Sequence, residues 1–562
     1  MTESAECPTV LHAFTYWEDK APETVYLTQP FPDGEVVDYT WGQVGDQARR
    51  MAAHLKSLEL PDKSHISIVG KNSAHWIMAD LAIWMAGHVS VPLYPTVNGR
   101  VAAHVLEHSE ARLLFVGKLD GINDTWNDLK KGIPDDMDII ALPMSPMPDA
   151  TQWDKIVADT PPLDDLTLPD ADDLATIVYT SGSTGQPKGV MHSFGTMIVV
   201  AGGLKEQFTI TSEDRMLSYL PLAHVAERAA VEMLSLYYGF HVFFANTLDT
   251  FQEDLKRARP TIFFSVPRLW TKFYQGVQQK LSLQKQKVLF KIPIISGKVK
   301  QKLLSELGLD HTRVALTGSA PLAPAIIRWY HEIGLELLDV YGMSENFAYS
   351  HATRPGQARI GYVGSSAPGV ETRIADNGEI QVKSPGQMIG YYKNPEKTAE
   401  DMTEDGFFKT GDMGEVDEQG RLRITGRVKE LFKTSKGKYV APVPIESKLG
   451  DHPDVEVVCV TGVDQPQPFA LVMLSEDALA KREQGNLDEQ AMTREFTELL
   501  EEVNKDLEHQ EQIAFVVVVR DAWTMEDNFL TPTMKIKRNV IEERYAPHAD
   551  EWMAMKKPVI WE

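Results

Sequence analysis

The sequence has little cysteine, no long apolar run and no excess of basic residues. Its two cysteines, Cys7 and Cys459, provide neither a disulfide framework nor the ligand spacing of a zinc site, which fits a reducing compartment. No apolar run reaches the roughly 18 residues that span a bilayer. A net charge of −24 disfavours nucleic-acid binding, which needs a positive field. These absences predict a cytoplasmic protein and leave peripheral membrane contact open.

The first third of the chain alternates between strand and helix patterns, which predicts an α/β fold. At 562 residues the chain is too long for one hydrophobic core, so several subdomains are expected. Alternating strands and helices predict a parallel sheet covered on both faces. Residues 118–170, rich in Asp and Pro, are predicted to be surface loops. The predicted elements are a helix at 41–58, a strand at 66–70, a helix at 76–85, a strand at 89–93, a helix near 101–108 and a strand at 113–116.

The most informative stretch runs from Tyr179 to Gly189 and reads YTSGSTGQPKG. An apolar run before it predicts a buried strand, and an apolar run after it, from Val190 to Val199, predicts a helix. Glycine backbone N–H groups, hydroxyls and the Lys188 charge together suit a polyphosphate. A Walker-type loop is disfavoured, because Lys188 is followed by Gly189 instead of Ser or Thr.

Further motifs place chemically useful side chains at the ends of predicted strands. Tyr341 can pack on a purine face, and Glu345 can bind Mg²⁺ through a carboxylate oxygen. The carboxylate of Asp412 can accept hydrogen bonds from both hydroxyls of a ribose. The motifs are LPLAH at 220–224, PRLW at 267–270, GSAPL at 318–322, YGMSE at 341–345, GFFKTGD at 406–412, GRVKE at 426–430 and LTPTMKIK at 530–537.

Taken in order, these motifs resemble those of the adenylate-forming superfamily, which includes acyl-CoA synthetases, firefly luciferases and peptide-synthetase adenylation domains. The resemblance covers about residues 65–540 and is most specific to long-chain fatty acyl-CoA synthetases at 267–270 and 531–535. It implies a large N-terminal AMP-binding domain, residues 1–428, with parallel-type sheets layered with helices. It also implies a small, mobile α+β lid domain, residues 429–562.

The resemblance implies binding of ATP, Mg²⁺ and coenzyme A. Lys535 corresponds to the catalytic lysine, with Lys537 as the alternative, and His224 would cap the carboxylate end of the substrate pocket. Glu345 and Thr184 would hold the metal ion. The residues that would contact ATP or AMP are Thr180, Ser181, Gly182, Ser183, Thr184, Gly185, Lys188, Gly318, Ser319, Ala320, Pro321, Tyr341, Gly342, Ser344, Asp412 and Arg427.

The same resemblance assigns three residues to substrate access and domain motion. Lys429 would be the hinge, Gly437 would border the coenzyme A channel, and Trp270 would gate an acyl tunnel, with a core tryptophan as the alternative reading of Trp270. The chain departs from the family pattern at three positions, namely Phe194, Pro444 and Met534. Phe194, where many relatives have His, weakens any substrate inference from that corner.

The predicted function is an AMP-forming acyl-CoA synthetase that activates a medium- or long-chain fatty acid. The alternatives are a ligase that loads a carrier protein, a CoA ligase for an aromatic or short acid, a luciferase-like oxygenase and a non-catalytic nucleotide-binding regulator. The oligomeric state is open, with a homodimer as one alternative. The lysine-rich segment 280–302 is predicted to be a solvated face, with contact to anionic lipid as the alternative.

Overall fold

A computed structural model provides the structure of the protein. It describes residues 7–119, 125–180, 186–205, 207–524, 527, 529–531 and 535–562, except for the side chain of Ile294. The protein has a large N-terminal domain and a smaller C-terminal domain, as predicted, and the two enclose a cleft. Among the described residues, no helix combines the length and the apolar character needed to cross a bilayer.

The N-terminal domain contains the following elements. Its strands are β1 (Val25–Pro30), β2 (Val36–Thr40), β3 (His65–Val69), β4 (Val89–Leu93), β5 (Leu113–Val116), β6 (Asp138–Ala141), β7 (Thr151–Gln152), β8 (Leu174–Thr180), β9 (Lys188–Ser193), β10 (Arg215–Ser218), β11 (His241–Phe244), β12 (Ile262–Ser265), β13 (Val314–Thr317), β14 (Leu337–Tyr341), β15 (His351–Ala352), β16 (Ser365–Ser366), β17 (Glu371–Ile374), β18 (Glu379–Lys383), β19 (Gly390–Tyr391), β20 (Phe408–Val416) and β21 (Leu422–Arg427). Its helices are α1 (Val10–Lys20), α2 (Trp41–Ser57), α3 (Ala74–Met85), α4 (Gly99–Ser109), α5 (Thr125–Leu129), α6 (Trp153–Asp159), α7 (Phe194–Leu204), α8 (Val225–Glu227), α9 (Leu234–Tyr238), α10 (Phe251–Ala258), α11 (Pro267–Lys280), α12 (Leu283–Phe290), α13 (Pro293–Leu307), α14 (Pro324–Ile333) and α15 (Pro395–Asp401). A π-helix spans Arg228–Met233 between α8 and α9, and short 3₁₀ turns span Lys130–Gly132 and Ser344–Asn346.

An eight-stranded sheet organises the first half of this domain, in the order β19-β9-β8-β4-β3-β5-β6-β7. The pairs from β8 through β4, β3, β5 and β6 to β7 are parallel, as the alternating pattern predicts. Helix α3 is buried along its whole length because its residues are apolar on nearly all sides. The sheet therefore lies in the core, covered by helices.

Two sequence predictions in this region are wrong. The segment after the Ser–Gly stretch is a strand, β9, which pairs antiparallel with β8 so that Thr180 faces Lys188; the helix α7 begins only at Phe194. Apolar residues on both faces of a buried strand have no alternation to distinguish them from a helix. Residues 118–170 also contain more than loops, since β6 and β7 extend the sheet and α6 packs against α2.

A second sheet and a small antiparallel sheet bring the later motifs together. Strands β12, β13 and β14 are parallel neighbours in the five-stranded order β12-β13-β14-β15-β16. Their carboxyl ends therefore deliver the 265–268, 318–321 and 341–345 segments to one edge. In the four-stranded sheet β17-β18-β20-β21, Asp412 pairs directly with Arg427. A further four-stranded sheet has the order β10-β11-β1-β2.

The C-terminal domain is an α+β unit with its own core. Two clusters of buried apolar side chains are built from residues between Phe432 and Ile560. Its four-stranded sheet has the order β24-β25-β26-β27. The elements are the strands β22 (Phe432–Lys433), β23 (Tyr439–Val440), β24 (Val455–Thr461), β25 (Phe469–Leu474), β26 (Val516–Val518) and β27 (Val559–Trp561), the helices α16 (Pro442–Leu449), α17 (Glu476–Glu483), α18 (Glu489–Lys505), α19 (Arg538–Tyr545) and α20 (Ala549–Met555), and a 3₁₀ turn at Ala546–His548.

Candidate active site

The two domains enclose a cleft with a volume of about 2410 Å³. The carboxyl ends of β8, β13 and β14 reach it from the N-terminal domain, and the segment that contains Lys535 reaches it from the C-terminal domain. Open α/β sheets bind ligands beyond the carboxyl ends of their strands, so this is the expected position of a site. One part of the cleft wall is charged and another is apolar.

At the charged end, Glu345 is positioned by residues that lie far away in the sequence. The hydroxyl of Tyr391 donates to Oε1 of Glu345 at 2.8 Å and lies 3.2 Å from Oδ2 of Asp401. The ammonium of Lys188 lies 4.8 Å from the centre of the Tyr391 ring. Burial raises the pKa of Glu345, although Tyr391 and Lys188 favour its charged form. Asp401 also accepts from Lys397 at 2.8 Å, so two carboxyls and two ammonium groups meet here.

A second polar cluster joins Tyr341, Asp412 and Arg427. Tyr341 donates its hydroxyl proton to Oδ2 of Asp412 at 2.6 Å, and Nε of Arg427 donates to Oδ1 at 2.9 Å. Burial, followed by the charge of Asp412, raises the pKa of Tyr341, which therefore remains a neutral donor. Each carboxylate oxygen has a further lone pair, so Asp412 retains the capacity to accept hydroxyl protons from a ligand.

Lys535 extends from the C-terminal domain into the same cleft. Its backbone is held by Thr531, whose N–H donates to the Lys535 carbonyl at 2.8 Å and whose Oγ1 accepts from the Lys535 N–H at 3.0 Å. Surrounding protein, and then Arg427, lowers the pKa of Lys535, while Asp412 and Glu430 oppose that effect. The side chain still has an exposed surface because it faces the open cleft. A cation from one domain thus meets an Asp–Arg pair from the other.

His224 lies beside this cluster as a neutral imidazole. Its Nδ1 accepts from the backbone N–H of Ala226 at 3.1 Å, which caps the short helix α8. Burial, and then the charge of Lys535, lowers its pKa to about 4. Behind it, the carboxyl of Glu227 accepts from Ser218 at 2.9 Å and from the Tyr219 N–H at 3.0 Å, and burial raises its pKa to about 8. His224 is therefore held in place without carrying a charge at neutral pH.

The other end of the cleft is apolar and extends between α7, the π-helix and β12. The small side chains of Ala229 and Ala230, on the π-helix, line this part of the cleft, and larger apolar side chains line the rest of it. A chain of methylene groups suits such a wall, because apolar surface is buried there without unpaired polar atoms. The wall residues include Leu204, Phe208, Ile210, Met216, Leu234 and Phe264.

Comparison with known proteins agrees with this site. A family model described as "AMP-binding enzyme" matches residues 14–392, and a model described as "AMP-binding enzyme C-terminal domain" matches residues 430–556. The chain belongs to the AMP-binding enzyme family. Both of its domains are therefore those of an AMP-binding enzyme.

Curated relatives match along nearly the whole chain. The long-chain-fatty-acid–CoA ligase FadD15 of Mycobacterium tuberculosis is 29% identical, over 95% of this chain and 95% of its own length. Fatty acyl-CoA synthetase A of Dictyostelium discoideum is 29% identical, over 93% and 87%. The peroxisomal long chain acyl-CoA synthetase 6 of Arabidopsis thaliana is 30% identical, over 92% and 82%.

Solved structures match the fold at lower identity. The anthranilate CoA ligase AuaEII, in complex with anthranoyl-AMP, has a TM-score of 0.79 and 19% identity, and the match covers 98% of this chain and 100% of that one. The A-PCP didomain of a carboxylic acid reductase from Segniliparus rugosus, in complex with AMP, has a TM-score of 0.80 and 22% identity, over 98% and 83%. These likenesses establish the fold of the chain.

The structure places most of the predicted contact residues of this AMP-binding enzyme on the cleft wall. Among them, Ser319 has a φ of 72°, and a Cβ on Gly342 would lie 2.4 Å from the Ala348 carbonyl carbon, so both turns are tightly built. Gly318 lies just behind the wall, where a Cβ would come within 2.8 Å of Val340. The wall contains Thr180, Lys188, His224, Ser319, Ala320, Pro321, Tyr341, Gly342, Ser344, Glu345, Asp412, Arg427, Lys429, Lys535 and Lys537. Ser181, Gly182, Ser183, Thr184 and Gly185 lie outside the described residues, as does Met534.

Trp270 does not line the cleft, contrary to its predicted role as a gate. Its side chain is fully buried, and its indole N–H donates to the Leu316 carbonyl at 3.3 Å. The rings of Phe263 and Tyr330 pack edge-on against it, with centroid distances of 5.3 and 4.9 Å. A tryptophan whose N–H is bonded and whose faces are packed is a core residue, which is the alternative that the sequence left open.

Gly437 also lies away from the cleft wall. It forms the turn between β22 and β23 with a φ of +76°, where its N–H donates to the Thr434 carbonyl at 2.8 Å. The turn is exposed. A role for Gly437 beside coenzyme A therefore requires the C-terminal domain to adopt another orientation.

Sequence reasoning missed three residues of the site. Tyr391 holds Glu345, and Asp401 lies against the Tyr391 hydroxyl, but the two follow Glu345 by 46 and 56 residues and no local motif links them. Asp339 lines the cleft two residues before Tyr341, and burial raises the pKa of its carboxyl to about 7. Its position in the apolar strand β14 was the available signal, because an acid within a buried strand is costly unless it serves a function.

Proposed function

We propose that the protein is an AMP-forming acyl-CoA synthetase. It activates a medium- or long-chain fatty acid with ATP, forms acyl-AMP and pyrophosphate, and then transfers the acyl group to coenzyme A. The observation that carries this proposal is the meeting of Lys535 with Asp412, Arg427 and His224 at the junction of the charged and apolar parts of one cleft. The names of the full-length relatives support the same activity.

The first step joins two anions, because a fatty carboxylate attacks the α-phosphate of ATP. One carboxylate oxygen forms a bond to phosphorus, and pyrophosphate leaves with the electrons of the broken P–O bond. Catalysis therefore depends on countercharge and positioning more than on proton transfer. Lys535 supplies a positive charge where the two anions meet, and Asp412 and Arg427 position the ribose. Neutral His224 can donate a hydrogen bond from Nε2 to the carboxylate, because its Nδ1 is already an acceptor.

The corner around Glu345 fits a magnesium ion that accompanies ATP. Burial raises the pKa of Glu345 although Tyr391 and Lys188 favour its charged form, so a further cation beside the carboxylate would stabilise its ionised state. Carboxylate oxygens are the protein ligands that Mg²⁺ prefers, and a bound ion supplies charge compensation for the phosphates. Glu345 would hold it, with Tyr391 fixing the carboxylate orientation. Thr184 remains a proposed second ligand.

The second step requires the thiol of coenzyme A to reach the acyl carbon that Lys535 faces in this orientation. We propose that the C-terminal domain, residues 429–562, rotates about Lys429, which withdraws Lys535 and brings Gly437 to the cleft. The separate cores of the two domains support rotation as a rigid body. The thiol releases its proton to solvent, the sulfur bonds to the acyl carbon, and the bond between that carbon and the AMP oxygen breaks as AMP leaves.

The fatty acid occupies the apolar part of the cleft in this proposal. Ala229 and Ala230 leave room beside the π-helix, and the wall offers methyl and aromatic surface to an alkyl chain. A carboxylate at His224 directs the chain away from the nucleotide. Thioester yields measured with fatty, aromatic and short acids would test this assignment, and a preference for benzoate over fatty acids would contradict it.

Lys535→Ala tests the proposed role of this lysine in the first step. We expect a loss of at least about 100-fold in pyrophosphate exchange, because the countercharge between the two anions is removed. Thioester formation from supplied acyl-AMP should stay within about threefold of the wild-type rate, since that step does not use the lysine. Single-turnover assays of each half-reaction provide both rates.

Lys537→Ala is the matched control, because it removes the neighbouring cleft lysine from the same segment. It should retain pyrophosphate exchange within about fivefold. An equal loss of both half-reactions in Lys535→Ala, or a larger loss of exchange in Lys537→Ala, would contradict the assignment of Lys535. If the protein transfers the acyl group to acyl carrier protein but not to coenzyme A, the adenylation step of this proposal stands and the acceptor assigned here is wrong.

A further inference from the structure

A basic and apolar surface lies on residues 280–302, a helical hairpin made of the last residue of α11, helix α12 and the first part of α13. The segment contains seven lysines and no acidic residue, in a chain whose net charge is −24. All seven side chains are exposed or half-exposed. This hairpin surface is defined by Lys280, Lys285, Lys287, Lys291, Lys298, Lys300 and Lys302, together with the apolar residues Leu283, Val288, Ile292 and Ile295.

Within the described part of the chain, none of these lysines lies within 4.0 Å of a carboxylate. Elsewhere, surface lysines such as Lys63, Lys397 and Lys481 pair with nearby acids. On the hairpin, the Lys300 ammonium instead lies 5.1 Å from the centre of the Phe290 ring. The hairpin surface thus presents a concentrated positive charge that the protein itself does not neutralise.

Large apolar side chains are exposed on the same hairpin. Val288 is 62% exposed, and Leu283, Ile292 and Ile295 are 40%, 40% and 41% exposed. Single exposed apolar residues are ordinary on a protein surface, but several within one short hairpin mark an interaction site. Lysines interleaved with aliphatic side chains suit the boundary between lipid headgroups and acyl chains.

The hairpin is firmly attached to the N-terminal domain. Gln286 is buried, and its amide oxygen accepts from the indole N–H of Trp329 at 2.7 Å while its NH₂ group donates to the Leu281 carbonyl at 2.6 Å. Phe290, Leu303 and Leu304 pack against the core cluster that contains Trp270. The inner side of the hairpin is thus anchored, and its outer side faces away from the protein.

We propose that this hairpin surface docks the protein on an anionic lipid bilayer. Its positive charge complements phosphate and carboxylate headgroups, and Val288 and Ile295 enter the interface between the headgroups. The anionic bilayer repels the acidic remainder of the molecule, and this repulsion orients the hairpin towards the lipid. The proposal does not depend on the acyl-CoA synthetase activity, because it concerns binding alone.

Cosedimentation of the full chain with vesicles tests the proposal. The wild-type protein should bind vesicles of phosphatidylcholine and phosphatidylserine mixed three to one, release in high salt, and fail to bind pure phosphatidylcholine. The variant with Lys285→Gln, Lys287→Gln, Lys291→Gln and Lys298→Gln should bind at least about tenfold more weakly. The variant with Val288→Ser and Ile295→Ser should lose the binding that persists at moderate salt.

The matched control carries Lys56→Gln, Lys130→Gln, Lys155→Gln and Lys557→Gln, which change the net charge equally at exposed sites elsewhere. It should bind vesicles as the wild-type protein does. The proposal would be overturned if the hairpin variant with four lysine substitutions bound vesicles as tightly as the control variant, or if the wild-type protein did not bind vesicles. A homodimer that the hairpin substitutions dissociate would also overturn it, because the surface would then belong to a second copy.

Discussion

At the residue scale, Asp339 shows how the cleft affects a single group. It lies on β14 two residues before Tyr341, and burial alone raises the pKa of its carboxyl from 3.8 to about 7. The folded protein therefore binds a proton here between pH 3.8 and pH 7, where the unfolded chain has already released it. Stability from this group is present at low pH and is lost as the pH rises towards 7.

Asp339→Asn should remove this pH dependence. Each pH unit in the window is worth up to about 1.4 kcal/mol, so the variant should gain about 1–2 kcal/mol relative to wild type between pH 5 and pH 7.5, after allowance for the open cleft. Urea unfolding at the two pH values measures the difference. Asp135→Asn, at an exposed position, is the control. The same pH dependence in wild type and Asp339→Asn would contradict the expectation.

Residue identities allowed many of the site residues to be predicted, but not the distant side chains that hold those residues in place. Motifs that lie at the ends of strands, such as Tyr341 to Glu345 and Asp412, can be located because each is local. Tyr391 could not be connected to Glu345, since that contact depends on how β19 pairs with β9. A motif fixes the position of Trp270 in the chain but not the direction of its side chain, so the sequence could not distinguish a tunnel gate from a core residue.

At the element scale, helix α11 joins the two domains through charged contacts. Nε of Arg268 lies 2.8 Å from Oε1 of Glu456 on β24, and Lys272 lies 3.2 Å from Glu476 on α17. Gln275 donates to the Pro453 carbonyl at 2.8 Å. Glu456 is only 5% exposed, so the removal of Arg268 would leave a largely buried carboxylate without its cation. These contacts stabilise the orientation in which Lys535 occupies the cleft.

Arg268→Ala should therefore weaken the adenylation orientation. We expect pyrophosphate exchange to fall about threefold to tenfold, with thioester formation from supplied acyl-AMP unchanged or faster. A loss of about 1 kcal/mol from the orientation seen here changes the equilibrium between the two domain orientations by about that factor. Half-reaction rates at low and high salt provide the measurement. Arg373→Ala, which removes an exposed pair with Asp405 inside the N-terminal domain, is the control. Equal loss of both half-reactions would show that the contacts maintain the fold instead of the orientation.

The elements themselves were predicted with uneven success. Strands β4 and β5 match their predicted bounds, 89–93 and 113–116, because each is a short and mostly apolar run. The segment from Val190 to Ser193, in β9, was predicted as part of a helix, since only its antiparallel pairing with β8 makes it a strand. Residues 118–170 have no clear periodicity, so β6 and β7, at the edge of the sheet, could not be recognised.

At the scale of the whole molecule, two domains with separate cores meet at one cleft and are linked near Lys429. Strand β21 ends at Arg427 and β22 begins at Phe432, so the link is short. Lys429 itself lines the cleft and is exposed. A short link between two rigid bodies concentrates a rotation in a few backbone torsions.

Lys429→Pro should impair rotation, because the ring fixes φ at this position and restricts Val428. We expect thioester formation from supplied acyl-AMP to fall at least about tenfold, while pyrophosphate exchange is largely retained in the orientation seen here. Lys429→Ala, which removes the charge but leaves the torsions free, is the matched control. A selective loss of exchange in Lys429→Pro would show that the pivot lies elsewhere.

The most direct test of the central claim follows the oxygen of the fatty acid. The protein is incubated with ATP, Mg²⁺, coenzyme A and palmitate labelled with ¹⁸O in its carboxyl group, and the phosphate-containing products are examined by mass spectrometry. Attack of the carboxylate on the α-phosphate predicts acyl-CoA together with AMP that contains one ¹⁸O atom. Unlabelled AMP, or ADP with the label in inorganic phosphate, would contradict an acyl-AMP intermediate at this cleft.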